Sequence, residues 1–311
     1  MESPEQLHKQ LDSFDELRTI VKTMKALSAA SIHQYEQAVT ALTGYYRTVE
    51  HGLHVVLKDM DVAEPAPDRH RTGKLGAIVF GSDHGLCGRF NEEISHYALQ
   101  RMDSTAAERK SRLLLAVGDR VVASLEAEGQ AVEETFLVPG SAAQITATVQ
   151  KILLKIDQWR EQSGVHYVFL FYNRHSGGKM YRPLGFELLP INLRRFHHLE
   201  KRSWPSRSLP TFTMASETLF SRLLRQYLFV TLSRACAESQ ASEHASRLAA
   251  MQAAERNLDE RLEEVTMTYR RARQNAITAE LLDVVSGFEA ITTDDALANS
   301  LRHRLDNDIV L

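Results

Sequence analysis

The last hundred residues of the chain constrain its fold more than any other stretch. From Met214 to Phe288 there is no proline, and the only glycine is Gly287. Apolar or small residues recur there at alternating three- and four-residue steps: Leu258, Leu262, Val265, Tyr269, Ala272 and Ala276. This spacing predicts one helix with a coiled-coil seam. At 1.5 Å per residue the helix would be roughly 110 Å long, wider than an ordinary globular domain, so it needs a partner helix.

The other end of the chain supplies a candidate for that partner. Residues from Glu5 to about Met60 contain no proline and repeat apolar side chains at helical spacing. That pattern predicts a second long helix. The segment from Glu64 to Lys74 is rich in helix-breaking residues and marks the first domain boundary.

In the middle of the chain the hydrophobic pattern changes, and the new pattern predicts an α/β domain. Short apolar runs, expected to be strands, alternate there with helix-favouring stretches, which is typical of a mostly parallel sheet. The Gly177-Gly178 pair predicts a hairpin into an antiparallel edge strand, and residues 192–213 are expected to be a loop. The strands are predicted at 75–80, 112–118, 132–138, 165–173 and 180–191, and the helices at 91–102, 119–128 and 141–162.

Composition limits the functional class. The chain has 311 residues and a formal net charge of −3, unlike a general nucleic-acid binder. Its two cysteines cannot build a disulfide framework, no apolar run approaches the length of a membrane span, and the N-terminus lacks targeting character. We therefore expect a soluble, intracellular protein.

A glycine-rich loop follows the first predicted strand and precedes a helix, which is where α/β folds hold phosphates. Its glycines do not have the dinucleotide spacing, and no P-loop lysine follows. We therefore interpret the loop as structural, a tight turn that needs positive φ. We predict no catalytic, cofactor-binding or metal-binding residue in the chain. The residues assigned to the structural loop are Gly81, Ser82, Asp83, Gly85, Leu86, Cys87, Gly88 and Asn91.

A basic cluster on the C-terminal helix is the other candidate site. Arg270, Arg271, Arg273 and Gln274 largely point away from the predicted seam. Such runs are usually solvated helix faces. Guanidinium groups displayed in this way also suit acidic loops of another protein, and the spacing leaves both interpretations open.

Three segments, in order along the chain, carry a resemblance to a known family. They are IVKTMKALSAA near the N-terminus, SDHGLCGRFN in the middle, and ASEHASRLAAM with YRRARQNAITAELLDVVSG near the C-terminus. The chain resembles the gamma subunit of F-type ATP synthases, the central-stalk rotor. The segment from Met24 to Val39 is more similar to the alternate bacterial branch called N-ATPase.

The resemblance implies an α/β fold class in which the N- and C-terminal helices form a long antiparallel coiled coil beside a Rossmann-like domain. The implied boundaries are an N-terminal coiled-coil helix over 1–63, an α/β foot domain over 74–191, a connecting loop over 192–213, a C-terminal coiled-coil helix over 214–291 and a tail over 292–311.

The resemblance also implies partners and roles. The chain would be a non-catalytic subunit without cofactors, in contact with the hexamer of alpha and beta subunits, the epsilon subunit and the membrane c-ring. It would couple ion transport to ATP synthesis or hydrolysis at the cytoplasmic face of the bacterial inner membrane. Met24, Lys25, Arg273 and Gln274 would contact beta subunits. Whether the ion is hydrogen or sodium stays open.

Two alternatives to the rotor remain from the residues themselves. One is a stand-alone nucleotide-binding α/β protein, which would bind nucleotide through Gly81 to Gly88. The other is a coiled-coil scaffold, which would form a homodimer by pairing terminal helices between chains.

Overall fold

The computed structural model describes residues 3–59, 74–105, 108–176, 179–191, 208 and 210–307; for 59, 176, 179, 180 and 289–307 the description covers the backbone alone. The chain divides into two compact units, one of residues 24–252 and the other of residues 1–23 together with 253–311. Two long helices contribute to both units: α1, Pro4–Asp59, and α5, Ser216–Asn307. No helix in the described parts of the chain is long and apolar enough to cross a membrane.

Helix α1 confirms the helix predicted at the N-terminus, and α5 begins close to the predicted start. The last helix, expected over 214–291, extends further in the structure, because α5 continues to Asn307. A glycine in a helix costs only about 1 kcal/mol, and no proline follows it here, so one glycine does not stop the helix. The tail expected from residue 292 is therefore helical as far as residue 307.

The two helices run antiparallel within each unit. In the unit of residues 1–23 and 253–311, His8 stacks on Tyr269 and Arg18 pairs with Asp259, so the α5 number falls as the α1 number rises. In the unit of residues 24–252, Tyr35 stacks on His244 and Tyr45 donates a hydrogen bond to Gln226. The contacts lie within one chain, so the pairing needs no second copy.

The α/β layer has the predicted five strands. The sheet order is β3-β2-β1-β4-β5, in which the first four strands are parallel and β5 is antiparallel to β4. The connecting helices confirm the predicted alternation. The strands are β1 Lys74–Phe80, β2 Leu113–Val117, β3 Glu134–Phe136, β4 Val165–Ser176 and β5 Lys179–Leu189; the helices are α2 Phe90–Asp103, α3 Asp119–Ala127 and α4 Ile145–Gln162, with 3-10 turns at Arg109–Ser111 and Ala142–Gln144.

Alternation along β1 builds a core on each side of the sheet, because successive side chains of a strand point to opposite faces. Ile78 and Phe80 join a cluster with α4 and with Tyr35 of α1 and Leu232 of α5. Val79 joins a second cluster, with α2 and α3. One face of the sheet is thus covered by α4 and the long helices, the other by α2 and α3.

Candidate functional site

The glycine-rich loop connects the end of β1 to the start of α2, at the carboxyl edge of the parallel strands. Only two of its residues have positive φ: Gly88, at 61°, and Leu86, at 63°. The expectation that the glycines serve positive φ is therefore wrong for Gly81 and Gly85. Gly81 is required for a different reason, since a Cβ there would lie 2.3 Å from Cβ of Val121 on α3.

The interior of the loop is filled by its own polar groups. The Ser82 amide donates to Oδ1 of Asn91 at 3.0 Å, and the Asn91 amide returns a hydrogen bond to the Ser82 hydroxyl at 2.8 Å. Cys87 is buried beside them, and its burial raises the pKa of the thiol. A thiol with a raised pKa is a poor nucleophile at neutral pH. These residues form a folded turn whose polar groups are bonded to one another.

Asp83 fastens the loop to the rest of the α/β domain. Its carboxylate accepts hydrogen bonds from the amide of Asp119, the first residue of α3, and from the amide of Val138 after β3. Burial raises the pKa of this carboxyl, although the two amide donors oppose the shift. One side chain therefore joins the connections that follow β1, β2 and β3.

Helix α5 holds the same loop from the other side. Arg247 lies 2.6 Å from Glu243, one turn earlier on α5, and both side chains are only 6% exposed. The Arg247 guanidinium also donates to the carbonyl oxygens of His84 and Gly85, at 3.3 and 3.4 Å. Ser246 donates to the carbonyl of Cys87 at 2.6 Å. We call Glu243, Ser246 and Arg247 the α5 clamp.

The polarity of this contact bears on the nucleotide-binding alternative. A phosphate site presents backbone N–H groups to an anion. Here the loop directs its carbonyl oxygens at a buried guanidinium, and the Ser82 amide is already bonded to Asn91. These hydrogen bonds attach the loop to α5 and do not present free N–H groups of residue 82 to an anion.

Helix α1 reaches this region through Tyr35. The side chain is 2% exposed, and its hydroxyl donates to the carbonyl of Pro139 at 2.8 Å. The ring stacks on His244 of α5 with the ring centroids 5.6 Å apart. Burial, with a smaller effect from the nearby Arg247 charge, lowers the pKa of His244 to about 4. The imidazole is therefore neutral at physiological pH.

The sequence predictions missed the α5 clamp and Tyr35. Glu243 and Arg247 stand four residues apart in the stretch from Ala241 to Met251, which, apart from these two and His244, consists of small and apolar residues. An ion pair at that spacing on the inward face of a helix was the available signal.

The second candidate site lies in the unit of residues 1–23 and 253–311. It is a groove of about 780 Å³ between the two helices; the α1 wall carries two aspartates beside His8 and Arg18, and the α5 wall carries two arginines and no acidic residue. Arg273 and Gln274 line this groove and are exposed. The polar lining residues are His8, Asp12, Asp15, Arg18, Thr266, Tyr269, Arg270, Arg273, Gln274 and Thr278.

The other two predicted contact residues, Met24 and Lys25, lie on α1 in the unit of residues 24–252. Both are partly buried. That unit also contains the loop and the α5 clamp.

Comparison with known proteins connects the fold to a family. The family model described as ATP synthase matches residues 3–291. The ATP synthase gamma chain of Anaeromyxobacter sp. (strain Fw109-5) is 31% identical over 303 residues, which cover 94% of this chain and all of that one. The chain belongs to the ATP synthase gamma chain family. The gamma chain of Heliobacterium modesticaldum is 26% identical, over 92% of this chain and 98% of its own length.

Solved structures show the same fold. A chain from the rotor of the Euglena gracilis mitochondrial ATP synthase, in rotational state 1, superposes with a TM-score of 0.61 at 17% identity, over 88% of this chain and 98% of that one. A chain of the central stalk and c-ring of the Tetrahymena thermophila mitochondrial enzyme gives 0.50, over 76% and 99%. As a gamma chain, the protein is a subunit of the membrane-associated ATP synthase complex and forms part of the central stalk of F1.

Proposed function

We propose that the chain is the rotating shaft that couples ion flow through a membrane ring to ATP synthesis or hydrolysis in a hexamer of alpha and beta subunits. The observation that carries this proposal is the groove between α1 and α5, where Arg273 and Gln274 are exposed on antiparallel paired helices. An exposed guanidinium beside an amide can bind a carboxylate or a backbone loop through several hydrogen bonds. Such a group provides a directional hold on a partner.

Rotation explains why one asymmetric shaft can drive several identical sites. At each angle the shaft makes different contacts with each beta subunit. Those differences in contact energy bias each beta subunit toward a different conformation and nucleotide affinity. In this proposal Arg273 and Gln274 hold a beta-subunit loop, and Met24 and Lys25 lie against the beta-subunit segment that moves.

The chain itself is non-catalytic in this proposal, and it needs no cofactor. The compact loop supports this, since its carbonyl oxygens face Arg247 and its Cys87 thiol is buried with a raised pKa. The α/β domain would contact the epsilon subunit and the c-ring at the cytoplasmic face of the inner membrane. The N-ATPase assignment stays a prediction.

Co-expression with the alpha and beta subunits from the same source tests this function. We expect a complex with one copy of this chain per three alpha and three beta subunits by native mass spectrometry, and ATP hydrolysis that falls when the chain is omitted. A homodimer that does not join the hexamer would favour the scaffold. Nucleotide binding by the isolated chain in calorimetry, lost in a Gly88→Val variant, would favour the nucleotide-binding alternative.

A further inference from the structure

We propose that the α5 clamp is a mechanical link that makes the α/β domain turn together with α5, with Arg247 as its positioning residue. This inference rests on the rotor function proposed above. It assigns to Arg247 and Glu243 a role inside the chain, distinct from any contact with another subunit.

The first support is the directionality of the contact. Arg247 is held at 2.6 Å by Glu243 on its own helix, and the same guanidinium donates to two carbonyl oxygens of the loop. All three contacts are made by one terminal nitrogen of the guanidinium, Nη2, so charge-assisted hydrogen bonds to Glu243 and to the loop together fix the position of that nitrogen. Apolar contacts between α5 and the sheet, such as those of Leu232, are non-directional and permit small sliding movements. The clamp therefore resists rotation of α5 against the loop in a way that apolar packing does not.

The second support is the set of hydrogen bonds that connects the loop to the rest of the α/β domain. Asp83 accepts hydrogen bonds from Asp119 and Val138, which belong to the connections after β2 and β3. A force applied at Arg247 thus passes through residues 83–85 to three connections at one edge of the sheet. Glu243 is the internal counter-ion that keeps the buried guanidinium paired.

Stability alone is a weaker explanation for these charges. A buried ion pair commonly contributes no more to stability than apolar residues of similar volume would. A double variant, Glu243→Leu with Arg247→Met, should therefore fold while losing the two hydrogen bonds from Arg247 to the loop and keeping the one from Ser246. Arg247→Lys is the second variant, because lysine keeps the charge next to Glu243 and loses the planar fork. The exposed pair Arg261–Glu264 on the same helix provides the matched control, Arg261→Met with Glu264→Leu.

The clamp is tested first by hydrogen exchange on the full-length chain. The amides of Asp119 and Val138 report on the loop, because both donate to Asp83. We expect these amides to exchange about tenfold faster or more in the double variant, the factor that corresponds to the loss of one charge-assisted hydrogen bond. Arg247→Lys should give a smaller increase, amides of β1 should not change, and the control variant should match the wild type. Unchanged exchange at both amides would overturn the clamp.

The mechanical role is tested in the assembled complex, with the hexamer immobilised and a probe on the α/β domain. We expect wider angular fluctuations of the probe during pauses in the double variant, while assembly and the hydrolysis rate stay as in the wild type. Faster exchange with unchanged fluctuations would overturn the mechanical role and leave the rotor function standing. Failure of the wild-type chain to assemble or rotate would instead contradict the rotor function itself.

Discussion

Arg247 and Glu243 form an ion pair of 2.6 Å on one face of α5, and both side chains are almost completely buried. Farther along the same helix, Arg273 and Gln274 are exposed. The two stretches of α5 therefore use polar side chains for different purposes. The first joins the helix to its own α/β domain, and the second is exposed; we propose that it contacts other subunits.

Replacing Arg273 and Gln274 together by alanine should weaken coupling or hydrolysis in the assembled complex. Both side chains are exposed, so the free energy of unfolding of the isolated chain should change by no more than about 0.5 kcal/mol. The measurement compares ATP hydrolysis with ion pumping in reconstituted complexes.

Arg261→Ala is the control for that double variant, since Arg261 is exposed on the same helix and pairs with Glu264, which is also exposed. It should leave coupling unchanged. If the double variant hydrolyses ATP and couples it to ion pumping as the wild type does, the proposed contact of Arg273 and Gln274 with beta subunits is contradicted.

Tyr35→Phe should lower the free energy of unfolding by about 1–3 kcal/mol, because it removes the hydroxyl donor from the buried carbonyl of Pro139 and leaves the aromatic ring in place. Tyr45→Phe is the matched control on the same helix. Its hydroxyl donates to Gln226 at an exposed position, where water can replace it. Chemical denaturation of both variants checks the prediction, and equal losses would contradict it.

Stability should fall with acidification in a window set by His244. Its pKa is about 4 in the folded chain and 6.5 as the ordinary value, so the unfolded state takes up the proton first as the pH falls. The contribution of the neutral His244 imidazole to the free energy of unfolding is fully present above pH 6.5. It is progressively lost as the pH falls to 4.

His244→Phe keeps the stack on Tyr35 and removes the titrating group. Thermal melting between pH 4 and 7 should therefore give a flatter curve for the variant than for the wild type. Other titrating groups, including the buried Glu243, are common to both proteins and cancel in the difference. Identical slopes would show that His244 does not titrate as its burial implies.

Gly81→Ala should destabilise the chain by about 1–3 kcal/mol, since the new methyl group would lie 2.3 Å from Cβ of Val121. Gly44→Ala is the opposite case. Gly44 is inside α1, and a Cβ there has no heavy atom within 4 Å, so alanine should stabilise the helix by about 1 kcal/mol. Calorimetry of both variants measures these changes in stability. A Gly81→Ala chain as stable as the wild type would contradict the predicted clash with Val121.

Local pattern was sufficient to predict most of the fold. The strand that became β1 is a short apolar run between breaker-rich segments, and the helices that follow β1 and β2 begin within one residue of their predicted starts. The seam of α5 and the apolar repeat of α1 carried the prediction of two long paired helices. These elements depend on side-chain periodicity, which is a property of the sequence itself.

The contacts that fasten the loop could not be predicted, because they join residues far apart in the chain. Arg247 and His84 are 163 positions apart, and Tyr35 and Pro139 are 104 apart. The positive φ of Leu86 was also unforeseen, since the three nearby glycines were the expected places for that backbone conformation. Tertiary packing rather than local preference decides these positions.

Direct observation of rotation tests the central claim. Cys87 and Cys236 are buried, so a cysteine introduced at the exposed Glu126 of α3 gives one selective site for a probe on the α/β domain. With the alpha and beta hexamer immobilised and ATP supplied, the account predicts continuous rotation of the probe in one direction, which stops when ATP is removed. A probe that stays fixed while the complex hydrolyses ATP would contradict the account.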